Sequence, residues 1–235
     1  MWNEKVVSVV LPAFNEQESV RAAVESFYAT GIADEVLVVD NNSTDRTVEE
    51  AKKARARIVH ETVQGYGAAL RRGLKEASGD YVILAEPDGT FEGRDILKLL
   101  AYAEDFALVC GTRTTHELIW AGANMGWFLR VGNLFLAKML EFLYNTPSLS
   151  DCGCTLRLIR KEALGKILPC LRVTGSHFLP EMVIVAHRQG LRMIEIPVNY
   201  KARIGPSKIT GSWRGALKTG LAMIRLILGY RLKKI

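Results

Sequence analysis

The sequence predicts an α/β fold in which one mostly parallel sheet is flanked by helices. Three runs that are almost entirely apolar have the composition of strands covered on both faces, at residues 6–11, 35–39 and 81–85. Helical patterns separate these runs, at residues 16–29, 44–54 and 67–77. Alternating strands and helices form parallel sheets through right-handed crossovers. Ligands of such sheets bind beyond the carboxyl ends of the strands, so the segments that follow each strand form the candidate site.

The second half of the chain departs from this alternation. Further strands are predicted at residues 108–111, 155–159 and 192–198. A helix is predicted at residues 181–187, while residues 118–144 are apolar and rich in aromatic side chains, which predicts amphipathic interface helices. We expect one domain over residues 1–211 and a basic amphipathic helix over residues 212–235.

Composition limits the classes to which the protein can belong. The chain has 235 residues, of which 49% are hydrophobic, and these numbers allow one large core. The net charge of +6 favours anionic partners, and residues 201–235 hold nine Lys or Arg and no Asp or Glu. Four irregularly spaced cysteines predict neither a disulfide framework nor a zinc site. We expect a cytoplasmic protein without a signal peptide or a transmembrane segment.

An acidic pair follows the third predicted strand. Glu86 and Asp88 come directly after the run 81–85, with Pro87 between them. Two like charges buried side by side are unfavourable unless a cation or hydrogen bonds compensate. The pair therefore indicates a divalent metal and a phosphate-bearing ligand. Pro-Asp-Gly is also good turn chemistry, so a solvated turn is the alternative.

Seven separated motifs occur along the chain, at residues 12–16, 39–45, 65–69, 86–89, 111–113, 156–161 and 203–208. In their order and spacing the chain resembles the inverting nucleotide-sugar glycosyltransferases of the GT-A fold, sequence family two. It most resembles the polyprenyl-phosphate (dolichol-phosphate) mannose synthases, from residue 6 to about residue 210. The resemblance implies a GT-A catalytic domain over residues 1–211 that transfers a hexose from a nucleotide diphosphate sugar.

The resemblance also implies a donor-binding set on the segments that follow the strands. By motif position this set is Pro12, Ala13, Asn15, Glu16, Asp40, Asn42, Gly67, Glu86, Glu181, Arg203, Ser207 and Lys208. Asp40 ends a strand, where its carboxylate can accept hydrogen bonds from a base edge or a ribose. Residues 203–208 correspond to a loop that closes over the donor diphosphate. Helix capping is the alternative role for the acidic and amide side chains of the set, and a solvated loop is the alternative for residues 203–208.

Glu86 and Asp88 take the place of the family's D-x-D acids, which bind Mg²⁺ or Mn²⁺. Oxygen ligands suit such hard cations, and the metal offsets the charge that develops on the departing diphosphate. Glu86 departs from the usual first Asp, and Thr90 stands where close relatives often carry Gln. We therefore expect Asp88 to be the more direct of the two metal ligands.

The expected catalytic set adds three residues to Asp88. The resemblance assigns Arg113 and Arg130 to the acceptor phosphate, whose oxygens match the forked guanidinium. Asp151 has two alternative roles: a general base for a hydroxyl acceptor, or an orienting partner of Arg157 or the acceptor arginines. A lipid phosphate is already anionic at neutral pH and needs no strong base.

The most specific function that the resemblance implies is transfer of mannose from GDP-mannose to a polyprenyl phosphate, with inversion. Transfer from UDP-glucose to a sugar or lipid acceptor is the alternative within the family. A nucleotidyltransferase and a non-catalytic membrane-binding module are the alternatives from other classes. We expect peripheral contact with the cytoplasmic membrane face and no nucleic-acid partner, and a homo-oligomer interface is the alternative use of residues 118–144.

Overall fold

The computed structural model describes residues 1–123, 126–205 and 213–232. Its strands are β1 (Val7–Ala13), β2 (Glu35–Asp40), β3 (Arg57–His60), β4 (Tyr81–Leu84), β5 (Leu108–Thr112), β6 (Arg157–Arg160) and β7 (Met193–Pro197). Its helices are α1 (Val20–Tyr28), α2 (Thr47–Lys53), α3 (Tyr66–Glu76), α4 (Ile96–Leu100), α5 (Trp127–Tyr144), α6 (Lys161–Ile167), α7 (Phe178–Arg188) and α8 (Trp213–Leu232). Short 3₁₀ segments lie at Gly93–Asp95, His116–Leu118 and Leu168–Cys170.

All seven strands form one sheet in the order β3-β2-β1-β4-β6-β5-β7. Every pairing is parallel except those that β6 makes with β4 and β5. The carboxyl ends of the parallel strands therefore meet at one edge, where Ala13 lies beside Asp40 and Thr112 lies beside Pro197. Because β6 runs the other way, the segment that precedes it reaches the same edge. The predicted mostly parallel α/β sheet is confirmed.

Helices cover both faces of the sheet and explain the continuous hydrophobicity of its central strands. All seven residues of β1 are buried. Val10 faces a core shared with α3, α5, α6, α7 and α8, whereas Val9 and Leu11 face a core shared with α1, α2 and α4. Each such side chain that leaves water contributes roughly 1.5–3 kcal/mol to folding. The sheet is thus a rigid base for the loops at its carboxyl edge.

Residues 118–144 differ from the prediction of interface helices over their whole length. The described part of this range is α-helical only from Trp127 onward. Before it, Ile119 bridges to Tyr200, and Gly122 has a φ of +81°, in the left-handed region that favours glycine. Helix α5 therefore starts after this turn, with Gly126 as its N-cap. No helix among the described residues is long and apolar enough to span a bilayer.

Candidate functional site

A cavity of about 560 Å³ opens at the carboxyl edge of the sheet. This volume lies within the range of about 300–1,000 Å³ that is usual for ligand sites. One end of the cavity is polar and is lined by Glu16, Glu86, Asp88, Arg113 and Arg203. The other end lies between α5 and α8 and is lined mainly by apolar side chains. The cavity thus joins a charged site to an apolar groove.

Glu86 lies at the end of β4, in the cavity wall. Its Oε1 accepts hydrogen bonds from the Tyr66 hydroxyl at 2.7 Å and the Thr155 hydroxyl at 2.6 Å. Burial, together with the charge of Asp88, raises the pKa of Glu86 to about 7. Near neutral pH this carboxyl is therefore poised between its two forms, and a bound cation would favour the carboxylate. Neither hydroxyl partner was identified from the sequence, although Tyr66 lies within the motif at residues 65–69.

Asp88 is buried next to Glu86 and is held from two sides. Its Oδ1 accepts hydrogen bonds from the backbone N–H of Thr90 at 3.0 Å and from the Thr90 hydroxyl at 2.6 Å. Its Oδ2 pairs with Arg203, whose guanidinium also pairs with Glu16. The Nε of Arg203 is buried and has no hydrogen-bond partner among the described residues. Arg203 therefore brings positive charge to the acidic end of the cavity.

The acidic end fits a divalent cation that is completed by other ligands. Glu86 and Asp88 supply oxygen atoms, which Mg²⁺ and Mn²⁺ prefer, at one wall of the cavity. Within the described ranges, no group of three or more His, Cys, Asp or Glu side chains could hold a metal alone. Water and a diphosphate would have to complete the coordination, as is common for Mg²⁺.

Arg113 and Asp151 form a buried ion pair beside this end. The Nε and Nη2 of Arg113 donate to the two oxygens of Asp151 at 2.7 and 3.0 Å. Asp151 also accepts a hydrogen bond from the backbone N–H of Gly153, and its side chain is fully buried. Burial alone would raise the pKa of Asp151, but the charge and hydrogen bonds of Arg113 outweigh it and lower that pKa below its usual value. Asp151 is thus a weak base that does not line the cavity.

Of the three arginines expected as partners of Asp151, namely Arg113, Arg130 and Arg157, the structure pairs it with Arg113. The guanidinium of Arg157 is fully buried and donates to the backbone oxygens of Cys152, Cys154 and Leu179. Arg157 therefore ties the segment before β6 to α7. Arg113 instead lines the cavity, with its guanidinium 5.1 Å from the centre of the Tyr200 ring.

The predicted donor residues divide into cavity walls and loop supports. Pro12, Ala13 and Glu16 line the cavity. Asp40, Asn15 and Asn42 are not among the lining residues. Their side chains bond to neighbouring segments. Asp40 accepts from Ser43 N–H and lies 3.2 Å from Nδ1 of His60 in β3, Asn15 accepts from Thr44 N–H, and Asn42 donates to the Thr62 oxygen.

Asn41, which the sequence analysis did not single out, lines the cavity instead of its two neighbours. Its amide donates to the backbone oxygens of Glu61 and Val63, both at 2.9 Å, and accepts from Gly65 N–H at 2.7 Å. Asn42 adopts a φ of 65°, so the chain turns sharply just after Asn41. The motif at residues 39–45 predicts a loop at the site, but the sequence does not show which of its side chains faces the cavity.

Gly67 and Glu181, both expected at the donor, have packing roles in the described structure. A Cβ at Gly67 would lie 2.7 Å from the backbone oxygen of Val173, so only glycine lets α3 approach that loop. Glu181 is fully buried and does not line the cavity. It accepts hydrogen bonds from the backbone N–H groups of Arg172 and Val173 and from the Tyr230 hydroxyl. The assignment of Glu181 to the donor is therefore corrected, because its carboxylate is used to hold this loop and α8.

Arg130 lies in the first turns of α5 and is not among the residues that line the cavity. Its Nη2 approaches the backbone oxygen of Thr114 at 3.5 Å, one residue beyond Arg113. The two expected acceptor arginines are thus brought to neighbouring positions, with only Arg113 in the wall. Ser207 and Lys208 lie outside the described residues.

Comparison with known proteins agrees with this geometry. Residues 8–168 match the model of the family described as "Glycosyl transferase family 2". An uncharacterized glycosyltransferase of Mycobacterium tuberculosis is 35% identical over 213 residues, which are 90% of this chain and 93% of that protein. A dolichyl-phosphate hexose transferase of Haloferax volcanii is 27% identical over 229 residues, covering 97% and 96% of the two chains.

Among solved structures, glucosyl-3-phosphoglycerate synthase of Mycobacterium tuberculosis, in complex with Mn²⁺, UDP and glucosyl-3-phosphoglycerate, has the same fold. The TM-score is 0.75 at 21% identity, and the match covers 96% of this chain and 81% of that one. The sheet order, the acidic pair at its carboxyl edge and the family match lead to one conclusion. The chain belongs to glycosyl transferase family 2 and has the GT-A fold.

Proposed function

We propose that the protein transfers a hexose, with inversion, from a nucleotide diphosphate sugar to a polyprenyl phosphate, and that Mg²⁺ or Mn²⁺ assists. Mannose from GDP-mannose is the favoured donor. One observation carries the proposal: a single cavity runs from the acidic pair Glu86 and Asp88, past Arg113, into an apolar groove. A water-soluble acceptor would have no use for that groove.

The apolar end of the cavity suits a lipid chain. Its walls are the facing sides of α5 and α8, with Phe128, Leu129, Phe135, Leu136, Leu217, Leu221, Met223 and Ile224 among the lining residues. Arg113 lies where this groove reaches the polar end. An isoprenoid chain in the groove would therefore present its phosphate to a guanidinium that can bind it through two hydrogen bonds.

The charged residues of the site have separate roles in the proposed reaction. Arg113 binds the acceptor phosphate, which is already anionic and attacks without a strong base. Glu86 and Asp88 would hold the cation, and the chemistry it would supply is to offset negative charge on the diphosphate. Arg203 pairs with Asp88 and would supply a second positive charge to a diphosphate bound at this end of the cavity. The depressed pKa of Asp151 agrees with an acceptor that needs no proton removed.

Peripheral contact with the cytoplasmic membrane face is part of this proposal. Trp127 and Phe142 of α5 are 76% and 89% exposed, and further apolar side chains of α5 and α8 are also exposed. The described helix α8 contains no acidic residue, and its basic residues are Arg214, Lys218, Arg225 and Arg231. Exposed aromatic side chains beside basic ones favour the headgroup layer of an anionic bilayer, where a polyprenyl phosphate would be found.

UDP-glucose is the second donor candidate, because the solved structure with the same fold contains UDP. Family membership argues against the nucleotidyltransferase and the non-catalytic module. A transfer assay decides among donors: GDP-mannose and UDP-glucose are each incubated with Mn²⁺ and either a polyprenyl phosphate or the matching polyprenol. The expected result is a glycosylated lipid phosphate and free nucleoside diphosphate, with the phosphate form of the acceptor only.

Two variants sharpen that assay. Arg113→Ala should raise the KM for the lipid phosphate by about tenfold or more, the strength of one charge-assisted hydrogen bond. The control is Arg21→Ala, which removes an exposed arginine of α1 that pairs with Glu25. It should leave the KM for the lipid phosphate and the KM for the nucleotide sugar unchanged. Equal transfer to polyprenol and to its phosphate would refute the proposed acceptor.

A further inference from the structure

A carboxylate of β7, Glu195, clamps the turn that carries Asp151. Its Oε1 accepts a hydrogen bond from the backbone N–H of Asp151 at 2.9 Å. Its Oε2 accepts from the backbone N–H and the hydroxyl of Ser150, at 2.7 and 2.6 Å. Glu195 is half-buried and does not line the cavity. Both of its oxygens are therefore used to hold two consecutive residues of one turn.

This clamp is connected to Arg113 by two routes. Through Asp151, it reaches the guanidinium, which donates to both carboxylate oxygens at 2.7 and 3.0 Å. Through the Ser150 hydroxyl, it reaches the hydroxyls of Thr112 and Thr114, which lie at 2.8 Å from Ser150 and flank Arg113 in sequence. Both the backbone and the side chain of Arg113 are thus fixed relative to the turn.

The sheet makes Glu195 a rigid anchor for these routes. β7 pairs in parallel with β5, and Glu195 lies beside Cys110, three residues before Arg113. A forked guanidinium binds phosphate oxygens through two bonds only when its plane is held in place by surrounding groups. An exposed carboxylate on β7 would not hold the turn or Arg113 in place.

We propose that Glu195 is a positioning residue that holds Arg113, through Ser150 and Asp151, in the orientation that binds an anionic acceptor phosphate. This inference rests on the proposed function, because it requires an acceptor phosphate that Arg113 binds. It assigns Glu195 to acceptor binding and not to donor binding. Glu195→Gln keeps the size of the side chain but replaces one accepting oxygen with an NH₂ group. That group would face an N–H donor of the turn, so half of the clamp is lost.

The test measures the KM for polyprenyl phosphate and the KM for the nucleotide sugar separately. Glu195→Gln should raise the acceptor KM about tenfold, as expected when a supporting hydrogen bond behind a binding residue is lost, and change the donor KM less than twofold. Ser150→Ala removes only the hydroxyl route and should raise the acceptor KM by a smaller factor. If Glu195→Gln folds poorly, Ser150→Ala still tests the clamp. The control is Glu104→Gln, which alters an exposed glutamate bonded to Asn3.

A double-mutant cycle separates positioning from a general structural role. In an Arg113→Ala background, Glu195→Gln should change the acceptor KM less than twofold, because the residue through which it acts is gone. The same tenfold rise in that background, or an equal rise in both KM values, would overturn the inference. If Arg113→Ala behaves as expected and Glu195→Gln and Ser150→Ala do not, only the positioning role is wrong. If the wild-type protein makes no lipid-phosphate product, the proposed function itself fails, and the inference fails with it.

Discussion

Replacing Asp151 with Asn removes the negative charge that pairs with Arg113 and leaves the shape of the side chain almost unchanged. The structure shows Asp151 fully buried, with Arg113 bound to both of its oxygens. Breaking a buried ion pair typically destabilises a protein by about 3–5 kcal/mol, and here the charge left without its partner is that of Arg113, whose side chain is 14% exposed at the cavity wall. Because Asn still accepts one hydrogen bond, we expect the lower end of that range, about 3 kcal/mol. For a chain of this size that lowers the melting temperature by roughly 6–12 °C.

The pH dependence of this loss has a definite sign. The pKa of Asp151 is lowered in the folded protein, so the ion pair contributes its full stability above the unfolded-state value of about 3.9. The contribution is lost as pH falls through the lower folded value. The difference in unfolding free energy between wild type and Asp151→Asn should therefore be constant between about pH 8 and pH 5 and shrink below about pH 4. Urea denaturation over this range measures it, with the exposed Asp105→Asn as the control.

Kinetics of the same variant distinguish the two roles left open for Asp151. Loss of a general base slows turnover by a factor of about 10²–10⁴. Loss of the orientation of Arg113 instead raises the KM for the acceptor phosphate and slows turnover by less than about tenfold. If Asp151→Asn slows turnover by about two orders of magnitude or more at an unchanged acceptor KM, the structural argument is refuted and Asp151 is the base.

Buried polar contacts give three further expectations. Because burial raises the pKa of Glu86 to about 7, the metal-free protein should lose stability as pH rises from about 4.5 to 7. Glu86→Gln should remove that loss, on the order of 3 kcal/mol, in urea titrations, and the same pH slope in the variant would contradict this. Arg203→Ala removes the guanidinium that pairs with Asp88, so electron paramagnetic resonance should show Mn²⁺ bound more tightly in the absence of nucleotide. Weaker Mn²⁺ binding would count against the Arg203–Asp88 pairing as a competitor of the metal. Arg157→Met leaves three backbone oxygens without their donor and should destabilise the fold by about 3 kcal/mol or more, whereas an unchanged urea midpoint would exclude this role.

The architecture and the location of the site were predictable because both follow from repeating patterns. Continuous apolar runs indicated strands covered on both faces, and parallel strands place their carboxyl ends at one edge. Glu16, Glu86 and Asp88 follow strands that are far apart in the sequence, yet all three line one cavity. The polar end of the site was therefore implied once the sheet was recognised.

Other elements left too little signal in the sequence. β3 is a four-residue edge strand with only Val59 buried, so its composition, Arg-Ile-Val-His, has no continuous apolar run. The reversed direction of β6 depends on its pairing with β4 and β5, which no local pattern records. That reversal brings Thr155 to Glu86. A hydroxyl that partners a carboxylate from a distant strand could be found only in three dimensions.

The position of a residue within a motif does not show whether its side chain contacts a ligand or other parts of the protein. Glu181 was assigned to the donor by its motif position, yet its carboxylate is fully used by Arg172, Val173 and Tyr230. A buried charge must be satisfied by nearby donors, and packing decides whether those donors belong to the protein or to a ligand. The sequence specifies that a charge is present but not which partners satisfy it.

The same physics gives a reason for Glu, in place of Asp, at position 86. The hydroxyls of Tyr66 and Thr155 converge on one oxygen of Glu86 and lie 2.5 Å from each other. The second oxygen accepts no hydrogen bond from the described residues, so it stays available at the cavity wall. An Asp would withdraw the carboxylate by one C–C bond, about 1.5 Å, and could not reach both hydroxyls from the same backbone position. The departure from the D-x-D pattern is therefore matched by two partners that a shorter acid would lack, and the proposed metal site keeps one Glu86 oxygen without a hydrogen-bond donor among the described residues.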